Sequence, residues 1–218
     1  MWRRTLGAGL LTLLISLAAV AAQGAKVESI GALGADGASE AVRKALAPNG
    51  YRVSLGNDLF CEIWFRATVP AGKTDATGAV YTTLPEGALI GVIRFPKAAN
   101  DFRGQSIAAG LYTLRYEVHP TDGNHMGISP IRDFLLLVPV AADTNPDASI
   151  KFAELVKLSA KAAGTNHPAA LSMATPDASA AAPSVTTNEH NYTVFAAKVK
   201  TASGETPIAF VVKGQAEQ

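Results

Sequence analysis

The segment from residue 119 to residue 133 carries the densest set of polar side chains that could bind a ligand. It joins two apolar runs that we expect to be strands, and a loop held at both ends by strands is a common position for recognition groups. Its candidate binding residues are His119, Asp122, Asn124, His125, Arg132 and Asp133. Asp122-Gly123-Asn124 is also typical of a simple turn, so a purely structural role of this segment is the alternative.

Three histidines could form a metal site. His119 and His125 lie in this segment, and His167 follows further along the chain. Imidazole is a common ligand of copper and zinc. The spacing between the first two histidines matches no established ligand motif, unlike His-Glu-x-x-His. We therefore expect no cofactor, and a copper or zinc protein that uses these three histidines is an alternative function.

His125 could instead act as a general base. A base of this kind needs an orienting neighbour within hydrogen-bond reach, and Asp122 or Asp133 could provide it. That arrangement would suit a hydrolase or an isomerase. The sequence contains no Gly-x-Ser-x-Gly nucleophile elbow. We therefore expect a binding or interaction module, with a hydrolase or isomerase as a further alternative.

A second polar group precedes the strand expected at 111–118. Asp101 and Arg103 from this group, together with His167 from the turn at 165–168, complete the candidate binding residues. With Arg115, Arg132 and Asp133 they could form a charged network between neighbouring strands. Charged residues beside apolar strands are usually solvated or ion-paired supports, and a binding cleft is the less common interpretation.

Apolar segments bounded by turn residues predict the strands that must position these side chains. They cover residues 59–66, 88–95, 111–118 and 131–138. In 111–118 the even-numbered residues are expected to face the core, and the odd-numbered residues, including Arg115 and Glu117, are expected to face outward. Strands that follow one another without intervening helices predict a mainly β fold. We expect an antiparallel β-sandwich, jelly-roll-like, with one or two short peripheral helices.

Two segments predict helices. Ser39 could cap a short helix that ends near residue 46. A second helix is expected at 149–163, with Asp147 or Ser149 as its N-cap and Gly164 at its end. Its apolar face comprises Phe152, Leu155, Val156 and Ser159.

The first 22 residues have the pattern of a signal peptide. Arg3 and Arg4 precede an apolar stretch at 6–20, which is shorter than the roughly 20 residues of a membrane-spanning helix. Cleavage near Ala21-Ala22 would give a secreted or periplasmic protein without a membrane span. The expected organisation is a signal peptide at 1–22, an N-terminal segment with a short helix at 23–50, a sandwich domain at 51–174, an Ala/Ser/Pro-rich loop at 175–190 and a C-terminal hairpin of the same domain at 191–218.

Composition narrows the class of partner. The chain has 218 residues, a net charge of +1 and 48% hydrophobic residues. It lacks the basic surplus of a nucleic-acid binder and the polar, highly charged composition of a disordered chain. Its single cysteine, Cys61, has no internal disulfide partner and is expected to be buried in a strand. A small molecule, a carbohydrate or an envelope protein is the expected partner.

One hairpin supports the same architecture. The segment Ser106-Ile107-Ala108-Ala109-Gly110-Leu111-Tyr112-Thr113-Leu114 resembles the AGxYTL hairpin of uncharacterised secreted bacterial β-sandwich proteins. The similarity continues through 61–66, 101–105 and 123–127, and it spans residues 50–175. The resemblance implies an exported β-sandwich and carries no known activity, cofactor or site residue.

Overall fold

A computed structural model describes residues 24–35, 37–121, 129–177 and 179–215 of the chain. The expected signal peptide lies outside the described residues, as do Asp122, Asn124 and His125. The described part is mainly β, with antiparallel sheets and two short helices, so the predicted fold class is confirmed.

The elements follow one another in a simple order. Along the chain they are β1 (Ala25–Gly31), α1 (Glu40–Ala45), β2 (Asn49–Leu55), β3 (Asp58–Phe65), β4 (Leu89–Phe95), β5 (Ala99–Asn100), β6 (Ser106–Ile107), β7 (Gly110–Val118), β8 (Asp133–Pro139), α2 (Phe152–Ala163), β9 (Ala170–Ser172), β10 (Ser184–Thr187), β11 (Thr193–Thr201) and β12 (Gly204–Lys213).

Two sheets form the sandwich. The larger sheet has the order β1-β2-β3-β4-β7-β8-β9, and the smaller has the order β10-β11-β12. All of these neighbours are antiparallel, and β5 and β6 form a separate short hairpin. The strands succeed one another as a meander, so the likeness to a jelly roll lies in the facing sheets and not in the strand connections.

The main core lies between the sheets. The inward-facing residues of β3 and β7, such as Ile63 and Tyr116, are buried in one cluster with Phe195 and Phe210 of the smaller sheet. Met173, just after β9, forms a bridge to Phe210 and joins the sheets along one edge. Because successive side chains of a strand point to opposite faces of the sheet, each sheet has one apolar face, and these two faces enclose the core.

The other face of β7 is also buried, which corrects the sequence expectation. Thr113, Arg115 and Glu117 point away from the main core, as expected, yet each is at most 2% exposed. Arg115 donates to the backbone carbonyls of Asn145 and Ala148, so the loop after β8 covers it. The alternation of apolar and polar residues predicts the direction of these side chains correctly. It contains no information about the loop after β8 that covers the outward face.

Several local expectations change. Residues 25–31 form an edge strand on β2, within the segment at 23–50 for which the sequence predicted only a short helix. Helix α2 begins at Phe152 and not at 149, and its N-cap is Lys151, which makes no side-chain cap hydrogen bond. Neither Asp147 nor Ser149 caps the helix, and Asp147 pairs with Arg66. Part of the expected 175–190 loop is strand β10, where three β-branched residues follow Ser184. The final hairpin turns tightly between Thr201 and Gly204.

The helices were checked for membrane-spanning length. Neither helix in the described residues is long and apolar enough to cross a membrane.

Candidate functional site

A cavity of about 570 Å³ opens beside helix α2. It is formed by the turn between β5 and β6, the end of β7, the start of β8, the first half of α2 and the turn that follows α2. We call it the α2 pocket. Its lining residues are Arg103, His119, Pro120, Phe134, Phe152, Val156, Asn166, His167, Pro168 and Ala170. Three residues that the sequence singled out, Arg103, His119 and His167, therefore meet at one concave site.

The wall of the α2 pocket is mainly apolar. Phe134 is buried at the start of β8, and its ring stacks on that of His119 with centroids 4.1 Å apart and an interplanar angle of 18°. Phe152 is 38% exposed, which is unusual for a large apolar side chain of the described residues. The sequence pattern had placed Phe152 on the packing face of α2, whereas the buried residues of that helix are Leu155, Ser159 and Ala162.

The backbone that carries Arg103 is fixed by the carboxylate of Asp101. One oxygen of Asp101 accepts hydrogen bonds from the amides of Arg103 and Gln105, both at 2.9 Å. The other accepts from the Gln105 side chain at 2.8 Å. Burial raises the pKa of the Asp101 carboxyl, and hydrogen bonds from Gln105, Arg103 and Ala170 oppose this increase. Asp101, which is 1% exposed, supports the turn and does not line the pocket.

Gln105 connects this turn to the opposite side of the α2 pocket. Its side-chain amide donates to the carbonyl of Pro168 at 3.1 Å, and its carbonyl accepts from the hydroxyl of Thr165 at 3.1 Å. The same hydroxyl accepts from the amide of His167 at 3.1 Å. Both sides of the rim are thus tied together by polar contacts, which favours a pocket that is formed before any ligand binds.

Arg103 differs from the other arginines of the described residues. Each of the others donates from its guanidinium to a carboxylate or a carbonyl oxygen. Within 24–35, 37–121, 129–177 and 179–215, no acceptor of this kind lies within hydrogen-bond distance of the Arg103 guanidinium. The side chain is exposed at the rim, so its charge is available to a ligand.

Arg132 and Asp133 lie nearby but have structural partners. Arg132 donates through Nε to the carbonyl of His119 at 3.0 Å. Asp133 is fully buried and accepts from the amide of Tyr81 at 2.9 Å and from the hydroxyl of Tyr116 at 2.7 Å. Neither side chain lines the α2 pocket. They hold the end of β7 and the start of β8 in position. Because His119 and Phe134 lie at these two ends, Arg132 and Asp133 support the pocket indirectly.

Glu117 is a buried titratable group that the sequence analysis did not single out. It is 2% exposed and pairs in register with Phe134. Burial, followed by the negative charge of Glu86, raises the pKa of Glu117 to about 8. No described residue donates a hydrogen bond to its carboxyl. The outward position in β7 is visible in the sequence, but the burial that perturbs the pKa is not.

Two other features bear on ligand classes. The chain positions Trp64 under α1, where it is 3% exposed and donates from Nε1 to the carbonyl of Gly31 at 2.9 Å. It therefore offers no exposed face for stacking on a sugar. In the part of the chain that the structure describes, no group of three histidine, cysteine or acidic side chains is arranged to hold a metal ion. His119 and His167 do line the same pocket, and His125 lies outside that part.

A second cavity lies away from α2. It has a volume of about 410 Å³, and Phe60, Asn100, Asn191 and Lys213 are among its lining residues. None of the sequence-predicted site residues that the structure describes lines it.

The chain was also compared with known proteins. No family model matches it, and neither the curated proteins nor the solved structures contain a significant match.

Proposed function

We propose that this protein binds a small organic molecule in the α2 pocket and acts as a ligand-binding module. The observation that carries the proposal is the cavity of about 570 Å³, which brings three sequence-predicted polar residues onto a mainly apolar wall. Small-molecule sites have volumes of roughly 300–1,000 Å³ and combine apolar walls with a few polar groups. The α2 pocket has this size and this composition.

Preorganisation supports the same function. The Asp101 and Gln105 contacts hold the two sides of the rim, and the ring of Phe134 holds the imidazole of His119 by stacking. A rim that is already ordered loses less conformational entropy when a ligand binds. Phe152 is 38% exposed, and a ligand in the pocket would remove this apolar surface from water.

The test is a binding screen with a blocked pocket. The isotope-labelled chain is titrated with a fragment library that contains neutral, anionic and cationic aromatics and monosaccharides, and amide chemical shifts locate each binder. We expect binders that shift the amides of residues 166–170. In the Val156→Phe variant, the larger side chain occupies the pocket and should abolish these shifts.

Lys157→Phe is the matched control, since it places the same side chain at the neighbouring, exposed position of α2. This variant should retain binding, and circular dichroism should show that both variants are folded. The proposal is wrong if no fragment shifts the pocket amides, if binding survives Val156→Phe, or if every binder maps to the second cavity.

A further inference from the structure

The described ionisable residues that line the α2 pocket are all basic. They are Arg103, His119 and His167, and none of the ten lining residues within the described part of the chain is acidic. Asp101 lies below the rim, but both of its oxygens already accept hydrogen bonds from the turn. The raised pKa of Glu117, about 8, keeps that buried neighbour of Phe134 mostly protonated at neutral pH. The pocket is therefore electrostatically suited to a negative group.

Arg103 is the cation best placed to recognise that group. Its guanidinium has no acceptor among the described residues, whereas its backbone is fixed by Asp101. A guanidinium presents donors in a planar fork that matches a carboxylate with two parallel hydrogen bonds. Since no internal ion pair has to be broken, an incoming anion gains this interaction directly.

The apolar wall defines the rest of the ligand. Phe152 supplies an exposed aromatic ring and Val156 a branched side chain, whereas Phe134 is 3% exposed and stacks on His119. Aromatic rings favour stacked or edge-to-face contacts with another ring. Apart from the basic residues, Asn166 is the sole polar side chain among the lining residues that the structure describes. A sugar, with many hydroxyl groups, would leave most of them without partners in such a site.

We infer that the ligand of the α2 pocket is an aromatic carboxylate or a closely similar planar organic anion, held by Arg103 at the rim and by Phe152 and Val156 along the wall. This inference rests on the proposed function and specifies its ligand class.

The experiment compares ligands of one shape and different charge. 2-Naphthoate, 2-naphthamide and 2-naphthylmethylammonium are titrated into the full chain, with amide chemical shifts as the readout. We expect 2-naphthoate to bind about five- to tenfold more tightly than the neutral amide, and the cation to bind most weakly, because charge-assisted hydrogen bonds are the stronger ones. Raising the salt concentration should narrow the difference between the anion and the amide.

Two charge-removing variants test whether Arg103 is the cation that recognises the anion. Arg103→Gln should weaken 2-naphthoate about three- to tenfold and leave 2-naphthamide unchanged, since a surface cation contributes modestly to binding. Lys157→Gln removes the same charge from the exposed side of α2 and should change neither affinity. Phe152→Ala should weaken both ligands together, because it removes apolar contact and not charge.

The outcomes separate this inference from the proposed function. Equal binding of the anion and the amide, or unchanged 2-naphthoate affinity in Arg103→Gln, overturns the anion inference and leaves a binding pocket. The anion inference is also overturned if the fragments that shift the amide signals of residues 166–170 are neutral compounds, cations or sugars. If no compound of any class shifts these amides, both proposals are wrong.

Discussion

The guanidinium of Arg115 and the carboxylate of Asp143 form a two-point ion pair in which both side chains are 1% exposed. Nε and Nη2 of Arg115 donate to the two oxygens of Asp143 at 2.8 and 2.7 Å, and the hydroxyl of Thr113 donates to Asp143 at 2.6 Å. Arg115 also donates to three backbone carbonyls, those of Gly87, Ala148 and Asn145. One buried cation thus fastens two loops to the outer face of the larger sheet.

Removing one partner of this pair should destabilise the protein strongly. Asp143→Ala leaves the Arg115 charge buried without its carboxylate, and we expect the free energy of unfolding to fall by about 3–5 kcal/mol. Urea denaturation measures the change. Glu40→Ala, which breaks the exposed pair with Lys44, is the control and should change stability by less than about 0.5 kcal/mol. Similar small losses in both variants would contradict the role given to Asp143.

Glu117 should make stability depend on pH. Its pKa of about 8 in the folded chain lies above the ordinary value of 4.5, so the folded state holds a proton that the unfolded state has released between these two values. Stability should therefore fall as the pH rises from 4.5 through 8. Glu117→Gln mimics the protonated carboxyl and should lower the dependence of the melting temperature on pH between 6 and 9.

Glu154→Gln is the matched control for this measurement, because Glu154 is exposed on α2. It should leave the pH dependence as in the unmodified chain. If Glu117→Gln also leaves it unchanged, the Glu117 carboxyl is not the group responsible.

Cys61 should be chemically inert in the folded protein. It is fully buried, and burial, reinforced by the charge of Glu62, raises the pKa of its thiol above the usual range. Because the thiolate is the reactive form, an aromatic disulfide reagent should modify the thiol only after opening or unfolding. The expected result is slow labelling in buffer and stoichiometric labelling in urea; rapid labelling in buffer would show that β3 is accessible.

Asp101 should control ligand binding through the position of Arg103. Asp101→Ala removes the acceptor of the Arg103 and Gln105 amides, which should cost about 1–3 kcal/mol of stability. If Asp101 positions the cation, the preference for 2-naphthoate over 2-naphthamide should shrink while both still bind. A general loss of structure would lower both affinities equally, so the ratio distinguishes the two explanations.

The sequence predicted the helices and strands better than it predicted which of their outer faces are buried by loops. Ser39 was expected to cap a short helix, and its hydroxyl accepts from the amide of Val42 at 3.1 Å, which confirms that prediction. The alternation in 111–118 was also correct. The burial of Arg115 was not predictable in the same way, because its carboxylate partner lies in a loop 28 residues away and no local pattern encodes that contact.

The candidate site shows the same division. Arg103 and His119 were selected as polar side chains beside expected strands, and His167 as a possible metal ligand in the turn at 165–168; the structure brings all three to one pocket. Arg132 and Asp133 were selected for the same reason, yet their partners are backbone groups and Tyr116. Chemistry and position within a loop do not distinguish a group that faces a cavity from one that supports the chain beside it.

The hydroxyl of Tyr81 joins segments that are far apart in the sequence, which bears on the order in which the chain folds. It donates to the carbonyl of Ala174 at 2.7 Å and accepts from the amide of Ala209, 128 residues further along. The meander of the larger sheet pairs neighbours in sequence and can assemble during synthesis, whereas contacts over such a separation form late. Until the β11–β12 hairpin is synthesised, the apolar inner face of the larger sheet is uncovered. We therefore expect the partly folded chain to be most prone to aggregate before that hairpin packs against the larger sheet.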